Sequence, residues 1–124
     1  MAKSSFLVRA EVTITRQEGD TGSIEFIIPA TIDMTGMDVI FEVQDVDEQS
    51  VFKKESDVSE TQIEIDLADS RGQYVAILLD GTETKGFAAT DHRWELQVSD
   101  GDDIITVGKG TFVIRSEVID EGFS

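Results

Sequence analysis

The 124-residue sequence contains no cysteine, which excludes disulfides and thiolate metal sites. Its single histidine, His92, is too few for a histidine-rich metal site. Basic residues are scarce: 10 against 26 acidic ones, for a net charge of −16. Nucleic-acid backbones reward lysine and arginine, so no nucleic-acid partner is expected. Anionic membrane surfaces repel such a chain too, and no apolar run approaches the roughly 20 residues of a span, so no membrane partner is expected. The N-terminal stretch is interrupted by Arg9 and Glu11 and has no apolar block of signal-peptide length, so folding in a cytoplasm is expected. Only one proline, Pro29, is present, and no long helical period appears.

Extended segments are plentiful. In residues 91–114, Trp94, Leu96 and Val98 alternate with Arg93, Glu95 and Gln97, which sets one face against a core. Asp100-Gly101-Asp102-Asp103 then turns the chain, because glycine accepts positive φ and aspartate tolerates it. Ile105 and Val107 resume the pattern; Phe112 and Ile114 end it beyond Gly108 and Gly110.

Upstream, residues 6–15 alternate as a long strand, expected at an edge or reaching toward another chain. Ile24, Phe26 and Ile28 form the next strand, ended by Pro29. Val39, Phe41 and Val43 face inward, and a short strand covers 51–54. Ile63, Ile65 and Leu67 are expected inside. Residues 74–79 form an almost unbroken apolar run, typical of a strand covered on both faces or central in a sandwich. The connection Thr82-Glu83-Thr84 follows.

About eight strands with turn signals between them give an all-β, Ig-like antiparallel β-sandwich. One domain spans 1–124: a strand or arm over 1–18, a core over 19–118 and a tail over 119–124. Phe26, Phe41, Ile63, Ile65, Val75, Ile77, Trp94, Leu96, Phe112 and Ile114 are its expected core.

Chemistry is sparse. His92 has Thr90 and Asp91 beside it, but no G-x-S-x-G sequence exists and strand neighbours point to opposite faces, so an exposed or edge histidine is the reading. Carboxylate pairs suitable for glycoside hydrolysis arise by chance among 26 acids, and no long loops wall a groove. Calcium is the better chemical candidate, at the acidic tips Asp45-Val46-Asp47-Glu48 and Asp100, Asp102, Asp103. The EF-hand spacing fails at both: the positions of the required glycine and glutamate hold Ile105 and Thr111 counting from Asp100, and Ser50 and Ser56 counting from Asp45. Turn chemistry accounts for both tips. Trp94 and the phenylalanines are read as core in preference to a sugar platform.

Several motifs share an order: Gly19-Asp20-Thr21-Gly22; residues 33–39 leading into 40–45; Gly72-Gln73-Tyr74; Thr82-Glu83-Thr84; residues 94–98; and the closing 108–114. Over about residues 19–118 this order resembles the N-terminal domain of phage baseplate upper proteins and related phage tail proteins. That family has a Gly-Asp-Thr entry, a Leu-Thr-Gly turn and a final Gly-x-Phe-x-Val strand; Met34 stands here where leucine is usual. The resemblance implies a non-enzymatic structural protein of a phage or prophage virion, without cofactor, made in the host bacterial cytoplasm. It would sit in a tail or baseplate, bind other virion subunits and form a homo-oligomer. Phe6, Val8, Arg9 and Val12 are the interface candidates on the N-terminal strand. The alternative is an Ig-like carbohydrate- or surface-binding module, with Ca²⁺ held by Asp100, Asp102 and Asp103.

Overall fold

The alternating segments pair into eight strands: β1 (Ile14–Gln17), β2 (Thr21–Ile28), β3 (Asp38–Gln44), β4 (Ser50–Glu55), β5 (Ile63–Asp66), β6 (Gln73–Asp80), β7 (Thr90–Ser99) and β8 (Ile104–Arg115). The structure, a computed structural model, describes residues 12–17, 19, 21–56, 62–70, 72–84 and 90–115. One sheet has the order β1-β8-β7-β3-β4 and the other β2-β6-β5. That is the strand arrangement of an Ig-like sandwich, with β8-β7-β3-β4 facing β2-β6-β5. Most pairs are antiparallel. The exception is β1 with β8, which run parallel: they are the first and last strands, and the chain passes through both sheets between them instead of turning back in a hairpin.

Ig domains of antibodies bridge their sheets with a disulfide between the second strand and the penultimate one. Here the corresponding strands, β2 and β7, are joined by rings: Phe26 lies 5.4 Å from Trp94 and 6.1 Å from Phe41, centroid to centroid. Each such contact adds about 0.5–1.5 kcal/mol beyond the area it buries. Together with the burial of the rings, this approaches the roughly 2–4 kcal/mol of a typical disulfide. Phe41, fully buried, is the hub; it also meets Phe52 and Phe112. Phe26 and Ile65 are partly buried against the core, and the other eight expected core residues are buried.

One strand residue departs from the sequence expectations. Leu67 is exposed, because β5 ends at Asp66, whose Oδ1 accepts the Ala68 N–H at 3.0 Å and turns the chain. The inward set in β8 changes from odd to even positions. A bulge opposite Leu96 and Gln97 accommodates this, leaving Val107 as the extra residue. The described end of the 6–15 strand, Ile14 and Thr15, is paired with Phe112 and Val113 of its own sheet. β1 is thus the edge strand of its sheet, as the sequence led one to expect, with one side paired to β8; residues 6–11 and the tail at 119–124 lie outside the described residues.

The polar side chain of Gln73 organises the loop after β2. Its amide nitrogen donates to the carbonyls of Ile28, Pro29 and Ile32, and its Oε1 accepts from the Met34 N–H at 2.9 Å. This single residue satisfies the backbone of a loop that buries Ile32 and Met34.

Candidate functional site

The most polar buried cluster lies where β6 ends. Lys54 sits at an inward position near the end of β4, an edge strand, and forms an ion pair with Glu83. The Lys54 and Glu83 side chains are 13% and 6% exposed. An inward charge on an edge strand discourages pairing with another chain. The Glu83 carboxylate also accepts the backbone N–H groups of Asp80 and Gly81, each at 3.1 Å. Thr84, buried, accepts the Gly19 N–H at 2.9 Å. Gly81 is obligatory: a Cβ there would lie 2.7 Å from the Gly19 carbonyl oxygen, and its φ is +94°. Every group in this cluster is engaged with another part of the chain, so it is a clasp between the two sheets.

Asp80, on the exposed side of the clasp, accepts from the Thr82 hydroxyl at 2.6 Å and from the Thr82 N–H at 3.0 Å. These bonds hold its pKa down to about 2, from an ordinary 3.8. A depressed carboxylate stabilises the fold above its unfolded pKa, and that contribution is lost as pH falls through the folded value. Asp80→Asn is expected to flatten the acid limb of the stability profile between about pH 4 and pH 2. Urea midpoints measured across that range check it; an unchanged limb would remove the Thr82 bonds as the cause.

At the N-terminal side, Val12 is the one interface candidate among the described residues; Phe6, Val8 and Arg9 lie outside them. The Val12 side chain is 54% exposed, but its backbone is engaged. Its N–H donates to Lys109 O at 3.3 Å, and its carbonyl accepts from Trp94 Nε1 at 2.9 Å. Gly110 allows this approach, since a Cβ there would lie 1.9 Å from Val12 O. The Trp94 ring edge lies over Gly108 in the same way, 3.1 Å from where a Cβ would be. A groove of about 320 Å³ opens beside this anchor, lined by Val12, Ile24, Phe26, Val107 and Lys109 among others.

Of the sequence-level site residues within the described chain, Val12 lies beside β8 and Asp100, Asp102 and Asp103 share the β7–β8 turn. His92 is buried at 3% exposure on central strand β7, in register with Phe112, which corrects the expectation of an exposed or edge histidine. The reason is parity: it shares the inward face with Trp94, Leu96 and Val98. Phe112 is fully buried, and Trp94, which lines the groove beside Val12, is only 3% exposed, so neither presents an open ring face to a sugar.

At the β7–β8 tip, Asp100 Oδ1 accepts the N–H groups of Asp102 and Asp103, both at 2.9 Å. Asp45 Oδ1 does the same for Asp47 and Gln49. Among the described residues no three acidic or histidine side chains form a group able to hold a metal ion. Asp100→Ala is expected to lower stability by about 1 kcal/mol, as for loss of a side-chain cap, and Ca²⁺ is expected to leave both proteins unchanged. Calorimetric titration with Ca²⁺ and thermal melts with and without it check this; saturable heat lost in the alanine variant would restore the cation reading.

Sequence reasoning missed Glu83, Thr84 and Gln73 as organising residues. Glu83 and Thr84 follow a glycine just after a strand, a weak signal. Nothing local marks Gln73, whose partners lie about forty residues away. No protein-family model matches the chain, and no curated protein matches it.

Proposed function

We propose that this protein is a non-enzymatic structural module of a phage or prophage tail or baseplate, which binds other virion subunits and forms a homo-oligomer. The observation that carries the reading is the use of its polar groups. The buried ion pair and the acidic turns serve the fold's own backbone, and the aromatic rings close the core. What remains outside is an acidic sheet surface suited to contact with a more basic subunit. The motif order over residues 19–118 supplies the virion setting.

Mass spectrometry of gradient-purified particles from the encoding bacterium tests it, together with light scattering of the isolated chain. The protein is expected in the particles at a fixed copy number and in solution as an oligomer. Its absence from particles that are complete by electron microscopy would overturn the proposal.

A further inference from the structure

The β6 segment has the composition of a strand covered on both faces, and in the described fold its outer side is covered only in part. Val75, Ile77 and Leu79 point into the core. Tyr74, Ala76 and Leu78 point the other way, outward from the three-stranded sheet; Tyr74 and Leu78 are half-buried and the small Ala76 between them is buried. Ile27 on β2 stands in register with Tyr74 and is 43% exposed. Ile27, Tyr74 and Leu78 thus make an apolar strip along the middle of the sheet's outer face, with the buried Ala76 at its floor.

Carboxylates flank the strip on both sides. Glu25 and Glu64 stand in register with Ala76, one on each neighbouring strand, and Asp66 stands in register with Tyr74. All three are exposed. The three strands carry no lysine or arginine; among the hydrogen-bonded cations, Arg16 of β1 reaches the β2 edge at Ser23 O. The Tyr74 hydroxyl donates to Glu25 Oε2 at 3.0 Å, fixing the ring beside the acid.

The outer face of the other sheet is built differently. There the cross-strand row reads Lys53, Glu42, Glu95, Lys109, so each carboxylate has a lysine beside it. Lys53 also pairs with Glu55 at 3.7 Å. That row balances its charges, whereas the charged side chains on the outer face of β2-β6-β5 are all carboxylates around an apolar centre.

We infer that the outer face of the β2-β6-β5 sheet is a docking surface for a protein partner that presents apolar side chains within a cationic rim. This rests on the reading of the chain as an assembly module and assigns the face by which it is held. The apolar strip provides the area removed from water, and Glu25, Glu64 and Asp66 select lysine and arginine around it. Both halves are needed: the strip alone would accept any greasy surface, and the carboxylates alone would attract any polycation.

The test uses the full chain, isotope-labelled for NMR, and three short peptides. The first alternates leucine with lysine, the second leucine with glutamate, and the third serine with lysine. The leucine–lysine peptide is expected to bind, with shifts concentrated at Ile27, Tyr74 and Leu78. The other two are expected to bind at least about tenfold more weakly. Glu64→Lys with Asp66→Lys, at exposed positions that leave the core intact, is expected to reverse the preference toward the leucine–glutamate peptide.

Equal binding of the serine–lysine peptide would overturn the inference, as would shifts on the β3-β7-β8 face. Contacts between the strip and another segment of the same chain in the free protein would overturn it too. Failure here with the protein present in particles removes only the assigned face. Absence from particles removes the virion reading, whatever the peptides do.

Discussion

Glu83→Ala is expected to destabilise the protein by about 3–5 kcal/mol, the usual consequence of removing one partner from a buried ion pair. The mutation strands more than the Lys54 ammonium. The N–H groups of Asp80 and Gly81 lose their acceptor too, and the clasp between β4 and the end of β6 opens. Lys54→Met is expected to have a smaller effect, about 1–3 kcal/mol, because the Glu83 carboxylate keeps both backbone donors. The asymmetry between the partners is the diagnostic feature. Urea denaturation of the single and double variants measures it. A loss within about 0.5 kcal/mol for Glu83→Ala, the range of ordinary surface changes, would show that the cluster is solvated and that the two sheets are held by the core alone.

The second large effect is expected at Gly110. An added methyl would overlap the Val12 carbonyl, and backbone cannot swing aside as a side chain can. Gly110→Ala should therefore expel the start of β1 and leave the buried Trp94 indole N–H without its acceptor. Overpacking and an unmade hydrogen bond together give a loss of about 2–5 kcal/mol. Gly108→Ala is the milder control, since only the ring edge of Trp94 must give. A red-shifted Trp94 emission and faster proteolysis within residues 12–17 should accompany the loss in the first variant and not in the second. Equal effects of the two would mean that Gly110 is required for its own flexibility and not for the approach of Val12.

Both predictions fall on residues that local pattern does not explain, and the reason is range. Alternation is a nearest-neighbour property, so Trp94, Leu96 and Val98 declare their common face in the sequence itself. Even the β8 bulge left a trace there, in the change from Ile105 and Val107 to Phe112 and Ile114. His92 shows the limit. Its parity placed it inward, but its chemistry suggested an exposed site, and parity prevailed because β7 is a central strand.

The candidate surfaces divide the same way. The acidity of the chain was plain, and so was the apolar run at 74–79. That one sheet sets lysines beside the carboxylates of a cross-strand row while the other flanks an apolar strip with carboxylates depends on cross-strand register.

From the sequence alone came the β class, the strand count, the turns and most of the core, since each rests on residues a few positions apart. Which strands pair, how Gln73 and Glu83 are used, why Gly110 must be glycine and which acids share a face were decided by tertiary structure. Those features join groups tens of residues apart, and their energies exist only once the two layers have closed.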